Sequence, residues 1–261
     1  MTGAAKNTIA KLLVELGEVC AAYQDTALQG LPSTRIQADE IWSFVYAKAK
    51  NVPEGKRDEF GYGDVWTWTA LDADSKLIVS WLVGERSLDD ARAFMADVAS
   101  RLTYRPQITT DANVSYREAI EAAFGSDVDY AQVLKQYGSM GSQDGSPTAR
   151  RYSPNVVTSI DKRVVMGDPD PDHISTSHVE RSNLTMRMGM RRYTRLTNAF
   201  SKKVENLTAA VSLHFMHYNF ARPHQSLGRN VTPAMAAGVS DHVWTCEEIA
   251  ALLDRPAILP E

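Results

Sequence analysis

Cysteine is nearly missing from this chain of 261 residues: Cys20 and Cys246 stand alone. Two thiols so far apart make neither a disulfide framework nor a four-cysteine zinc site, so no structural zinc is expected. No apolar run approaches the roughly 18 residues that a membrane span needs. The first residues also lack the apolar core of a signal peptide, and a cytoplasmic protein without a membrane partner is expected. Net positive charge is missing as well: 28 Lys and Arg stand against 32 Asp and Glu, giving −4. That average weighs against a generic polyanion binder. What is present is an ordinary globular balance, 44% hydrophobic and 23% charged, long enough for one large domain or two small ones.

The charge is unevenly spread. From Arg181 to Lys203 there are seven basic residues, Arg181, Arg187, Arg191, Arg192, Arg195, Lys202 and Lys203, and no acidic one. From Val239 to Glu261 there are five acidic residues and one basic, which by itself accounts for −4. The body of the chain is neutral and contains a strongly positive stretch. Such a block reads either as a solvated helix face or as a stripe that binds phosphate.

Hydrophobic periodicity sets out the elements. Ile9, Leu12, Leu13 and Leu16 fit a helix capped by Asn7 or Thr8 and ended by Gly17, with Asp25–Ser33 as a linker. Ile36–Tyr46, Val65–Leu71 and Leu77–Val83 read as three strands of an antiparallel meander, with Asn51–Gly63 as a loop. Ser87 and Asp90 open a helix that buries Leu88, Ala91, Phe94, Met95, Val98 and Leu102. Gln107–Thr110 is a fourth strand, Ser115 and Glu118 cap a helix to Gly125, and Val128–Leu134 is a fifth strand. Gln136–Asp172 lacks a sustained period and reads as an irregular insertion holding a small hairpin between Val156 and Met166. Helices are predicted over Ser177–Arg191 and Ala199–Asn219, followed by short ones opened by Thr232-Pro233 and by Thr245 with Glu248. Met186, Met188 and Met190 read as core filler. Three antiparallel strands, helix, strand, helix, strand, helix is the order of the ribonuclease H-like fold: α/β, with a mixed five-stranded sheet. Taken alone, that analogy says nothing about chemistry.

On such a frame, acids on the first strand, at the end of the fourth and on the helix after the fifth can converge. Those places hold Asp39 in QADEIW, Asp111 in ITTDANVSY and Glu180 in SHVERSN, 72 and 69 residues apart. Two Mg²⁺ ions about 3.5–4 Å apart activate a water or 3′-hydroxyl and neutralise a phosphodiester transition state. Mg²⁺ takes carboxylate oxygen, while thiols and imidazoles favour zinc. Each acid also has a plainer reading. Asp111 suits an Asx turn, Glu180 a capping box with Ser177, and Glu40 rivals Asp39 from the other face of the strand. Arg187 and Arg191 lie seven and eleven residues beyond Glu180, on roughly its face of a continuous helix. Lys48 and Lys50 are further candidates for DNA contact. His214 and His217 are three apart but lack a third ligand at useful spacing, and His178 reads either as a surface cap or as a substrate contact.

The chain resembles the DDE transposases of bacterial insertion sequences, most closely the insertion-sequence-one type. The likeness is carried by RIQADEIWSFVYAKAKNVPE, VDYAQVLKQYG, DPDPDHISTSHVERSNLTMRMGMRRYTRLTNAFSKKVEN, YNFARPHQSLG and TPAMAAGV, nearly the whole chain. It implies that Asp39, Asp111 and Glu180 are the catalytic metal ligands for two Mg²⁺, with Mn²⁺ able to stand in. It also implies hydrolysis at element ends, attack of the freed 3′-hydroxyl on target DNA, a double-stranded DNA partner, and a homo-oligomer acting at the bacterial nucleoid. Ala112 stands where the family carries glycine. MTGAAKNTIAKLLVELG resembles only the turn and second helix of a helix-turn-helix, so an N-terminally short chain is expected. The resulting division is 1–32 for that segment and linker, 33–198 for a catalytic domain with its insertion 136–172, and 199–261 for a helical extension with the acidic tail. Rival readings are a structure-specific nuclease of the same fold and an inactive DNA-binding remnant that inhibits a full-length relative.

Overall fold

Arg35–Val45 is apolar and β-branched enough to be covered on both faces, and it forms β1 at the middle of the sheet. The computed structural model describes residues 3–57, 59–138, 156–194 and 197–254. Arg195 and much of the expected insertion, 139–155, lie outside the described residues. The strands are β1, β2 (Gly63–Asp72), β3 (Ile78–Gly84), β4 (Gln107–Thr110), β5 (Asp129–Gly138) and β6 (Val156–Met166), in spatial order β3-β2-β1-β4-β5-β6. β1–β4 and β4–β5 are parallel, while the remaining pairs are antiparallel. The protein is therefore α/β with a mixed sheet of six strands, not five. The expected hairpin inside Val156–Met166 is instead one strand of 11 residues along β5. No glycine or proline interrupts that run, and its exposed Val157, Ile160 and Val164 belong to a sheet edge.

Helices cover both faces. α2 (Leu88–Arg101) and α3 (Val114–Phe124) pack with Ile36, Ala38, Trp68 and Ala70. α4 (Ser177–Gly189) and α5 (Val204–Met216) pack with Ile41, Val45 and Val65 on the other side. Cys20, Leu28 and Leu31 from the N-terminal stretch, and Trp244, Ile249 and Leu252 from the C-terminal one, enter the same core as Trp68 and Phe94. A buried amide secures the join: Asn219 accepts from the Ile78 N–H and donates to its carbonyl, both at 2.9 Å, completing the edge strand β3 from a side chain.

Several boundaries differ from the periodicity reading. α1 (Lys6–Ala27) runs through Gly17, and its N-cap is Ala5 without a side-chain bond. Gly17 serves the crossing with α5, where the Ser212 hydroxyl donates to its carbonyl at 2.7 Å. α3 is capped by Asn113 rather than Ser115. α4 stops at Gly189, and Arg191–Tyr193 form a separate 3₁₀ turn anchored by the buried Thr67–Tyr193 hydroxyl pair at 2.6 Å. α5 begins at Val204 because Ser201 bridges to Val45 and holds the preceding residues extended. Met186 is core, whereas Met188 is 75% exposed. No helix among the described residues is long and apolar enough to cross a membrane.

An ideal Cβ at Gly17 would lie 2.5 Å from both Cα and Cβ of Ala209. In an open helix Gly→Ala gains about 1 kcal/mol. Here Gly17→Ala is expected to destabilise by about 1–3 kcal/mol in urea unfolding, since backbone must shift; a stabilised variant would refute the close crossing.

Candidate active site

The parallel pairing of β1 with β4 sets Ala38 opposite Thr110. One residue further β4 leaves the sheet while β1 continues, so Asp39 and Asp111 follow side by side at the carboxyl end of β4. Ends of parallel strands of this kind are where α/β sheets commonly place ligands. Asp39, Glu40 and Asp111 each offer a carboxylate oxygen, and these atoms all lie within 4.8 Å of one another. Alternation sends Asp39 and Glu40 to opposite faces, yet both reach the group because no β4 residue separates the faces beyond Thr110.

Each acid is held differently. Glu40, its side chain 1% exposed, accepts from Arg86 Nε at 2.7 Å, Asn113 Nδ2 at 2.7 Å and Tyr116 Oη at 3.0 Å. Arg86 also lies 3.8 Å from Asp111 and over the Trp66 ring. Asp111 makes the expected Asx turn, its Oδ1 accepting from the Asn113 N–H at 3.0 Å, with its other oxygen turned to Arg86. Ala112, between them, is exposed. Asp39 accepts from Asn183 Nδ2 of α4 at 2.8 Å. Burial, reinforced by the charges of Glu40 and Asp111, raises the Asp39 carboxyl to about 7, although the Glu40 N–H and Asn183 pull the other way. Burial and Asp111 also raise Glu40, opposed by Arg86 and Tyr116.

Glu180 sits in the first turn of α4, one turn before Asn183. Its expected capping box is not formed. The N–H of Ser177 bonds to Ser175 Oγ at 3.2 Å, and those of His178 and Val179 bond to Gln37 Oε1 at 2.8 and 3.1 Å. Gln37 lies two residues before Asp39 on the same face of β1, so one strand anchors α4 at two points. The Glu180 carboxylate accepts from the Thr176 hydroxyl at 2.6 Å and from the Lys135 ammonium of β5. It thus lies on the Asn183 side of the site but outside the group formed by the other three acids.

No family model and no curated protein matches the chain.

The expected basic row is divided. Because α4 ends at Gly189, Arg191 and Arg192 do not continue the Glu180 face. They line a groove of about 650 Å³ against Leu13 and Leu16 of α1 and Leu213 of α5. Arg187 donates to the Tyr193 carbonyl at 3.4 Å and ties the 3₁₀ turn to its helix. Arg181 lines a separate cleft with Lys76 and Arg222. Lys48 and Lys202 lie over Phe44 and Phe200, whose rings are 4.9 Å apart, and Lys203 pairs with Glu205 at 3.1 Å. Lys50 is exposed in the turn after β1. Arg195 lies outside the described residues. His214 is half-buried, and desolvation pushes its imidazole down to about 4.

Sequence reading had Glu40 only as a rival to Asp39 and did not single out Gln37, Arg86, Asn113, Tyr116, Lys135 or Asn183. Two of these carried a signal: Gln37 by alternation from Asp39, and Asn183 three residues after Glu180 on one helix. Arg86 and Lys135 carried none, because the fold alone brings them in.

The raised Asp39 carboxyl links the site to stability. Its folded-state value exceeds its unfolded one near 3.8, so its contribution to folding is complete below about pH 4 and lost as pH rises through about 7. Asp39→Asn, in chelator, is therefore expected to melt above the wild type at pH 8 and level with it near pH 4. An equal difference at both values would show that Asp39 is not a buried, repelled carboxylate.

Proposed function

We propose that this protein is a Mg²⁺-dependent DNA transposase that hydrolyses phosphodiesters at element ends and transfers the 3′-hydroxyl into target DNA. The observation that carries this reading is the meeting of Asp39 and Asp111, 72 residues apart, at the carboxyl end of β4, with α4 and its Glu180 tied to the same strand by Gln37 and Asn183. The first five strands stand in the order β3-β2-β1-β4-β5, as a ribonuclease H-like fold requires, with β6 added outside β5. That agreement supports the fold named by the resemblance.

The donor set fits a hard divalent cation. It is all oxygen, and the burial and repulsion that together lift Asp39 to about 7 are costs that a bound cation offsets. Asp39 and Asp111 would hold the metal, with Glu180 as the third ligand once it turns from Lys135. Bound there, Mg²⁺ supplies an activated oxygen nucleophile and charge neutralisation on the phosphorus. The chain's own residues do the positioning. Arg86 and Tyr116 fix Glu40 and keep it from competing freely for the metal, while Asn183 orients Asp39. Lys135, released from Glu180, has a cation to offer the scissile phosphate. Arg181, Arg187, Arg191, Arg192, Lys202, Lys203, Lys48 and Lys50 would meet backbone phosphates, which position without reading sequence. Double-stranded DNA, a homo-oligomer and action at the nucleoid belong to this proposal.

Asp39→Asn, Asp111→Asn and Glu180→Gln are each expected to abolish Mg²⁺-dependent cleavage and strand transfer on element-end DNA while circular dichroism stays native. Full activity in any variant removes that residue from the site. Cleavage without joining would instead indicate a nuclease, and DNA binding with neither reaction would indicate an inactive remnant.

A further inference from the structure

Beside the acidic site, on the other side of α4's first turn, lies a cleft of about 670 Å³ in which cations predominate. Lys76 comes from the β2–β3 turn, His178 and Arg181 from α4, and Arg222 and His224 from the segment after α5. Lys76 Nζ stands 3.3 Å from His178 Nε2. Burial lowers the His224 imidazole, and Lys76, Arg222 and Arg181 lower it further, so all three act on one point. Asp74 also lines the cleft, but its carboxylate is taken by Arg35, with Nε at 2.9 Å. Asp72 acts on Lys76 through space, but among the described residues no carboxylate lies within ion-pair distance of Lys76, Arg181 or Arg222.

The cleft is built on firm supports. Asn219 clamps the chain just before Arg222 to Ile78, two residues after Lys76. Ser226 Oγ lies 2.9 Å from His224 Nδ1 and fixes that ring. Lys76 takes φ +62° and its ammonium reaches back to the Ala73 carbonyl, which fixes the side chain that lines the cleft. Arg181 and Arg222 stand exposed around the half-buried Lys76, three cations from three elements, and an anion set between them relieves their mutual repulsion. Arginine and lysine side chains on fixed backbone suit a phosphate oxyanion, which accepts from several donors at once.

We propose that this cleft is a phosphate-binding site, and that the phosphate it takes in function belongs to the DNA backbone running past Glu180. The site itself stands on the cationic side chains. Only the source of the phosphate rests on the transposase reading. Gln37 joins the two places, since its side chain accepts from the His178 N–H while Asp39 follows it two residues on along β1.

The test uses the full chain in EDTA, so that the outcome does not depend on metal or on cleavage. Lys76→Gln/Arg222→Gln is compared with the wild type in two arms, after melting curves confirm that both fold. In the first, inorganic phosphate at fixed ionic strength is expected to raise the melting temperature of the wild type and not of the double variant. In the second, a random-sequence DNA duplex is titrated at several salt concentrations. The double variant is expected to bind more weakly, with a log affinity against log salt slope shallower by about 1 to 2, one for each phosphate that the variant no longer neutralises. Loss in both arms supports the site and its DNA source. Loss of the phosphate response with DNA binding unchanged supports a site for small phosphates and overturns the DNA source. An unchanged double variant in both arms overturns the site altogether. Arg222→Gln alone, at an exposed position, repeats the comparison should the double variant melt early.

Discussion

The parallel register of β1 and β4 is the constraint on which the rest depends. Four residues of β4 pair with the start of β1, and the ladder ends where two carboxylates emerge on neighbouring strands. Nothing local brings Asp39 and Asp111 together. The meander β1–β2–β3, the α2 crossover and the parallel return do so, and a parallel return needs such a crossover. Everything else near the site is referred to β1: Gln37 receives the start of α4, Asp39 receives Asn183, and Glu40 receives Arg86, Asn113 and Tyr116.

Like charge is gathered here in two opposite senses. On one side three carboxylates meet, and burial, with repulsion from the other two, keeps the proton on Asp39 to about pH 7. On the other side Lys76, Arg181 and Arg222 gather at a cleft with little counter-charge. The carboxylate group works against folding taken singly, since repelled charge in a buried place costs free energy, whereas Arg181 and Arg222 are exposed and their repulsion is screened. Under the proposed function, side by side along α4's first turn, they would complement a phosphodiester and its cation. The formal charge of −4 hides this division because it averages an acidic tail, a neutral body and separate basic groups.

Much of the frame was legible because periodicity and caps are local. Gln107–Thr110 was placed to the residue, the Thr245–Glu248 capping box formed as read, Ser87 capped its helix although Asp90 accepts from the Glu85 N–H rather than closing a box, and Asp39 and Asp111 were found on the elements expected. The misreadings share a cause: each depended on a distant partner. Gly17 looked like a helix end, but its missing side chain makes room for Ala209. Val156–Met166 looked like a hairpin because its partner β5 lies across an insertion. Arg191 looked like part of a helical row until Tyr193, bound to Thr67, drew the chain into a 3₁₀ turn. Glu180 looked like a cap partner, but Gln37 of β1 performs that service and leaves its carboxylate to Lys135.

The most direct test of a divalent-cation centre at the end of β4 is a Mn²⁺ titration followed by electron paramagnetic resonance, without DNA. The wild type is expected to bind the ion at the carboxylate group, Asp39→Asn and Asp111→Asn to lose that binding, and excess Mg²⁺ to compete for it. Mn²⁺ binding that persists unchanged in both variants, or is absent from the wild type, would contradict the centre.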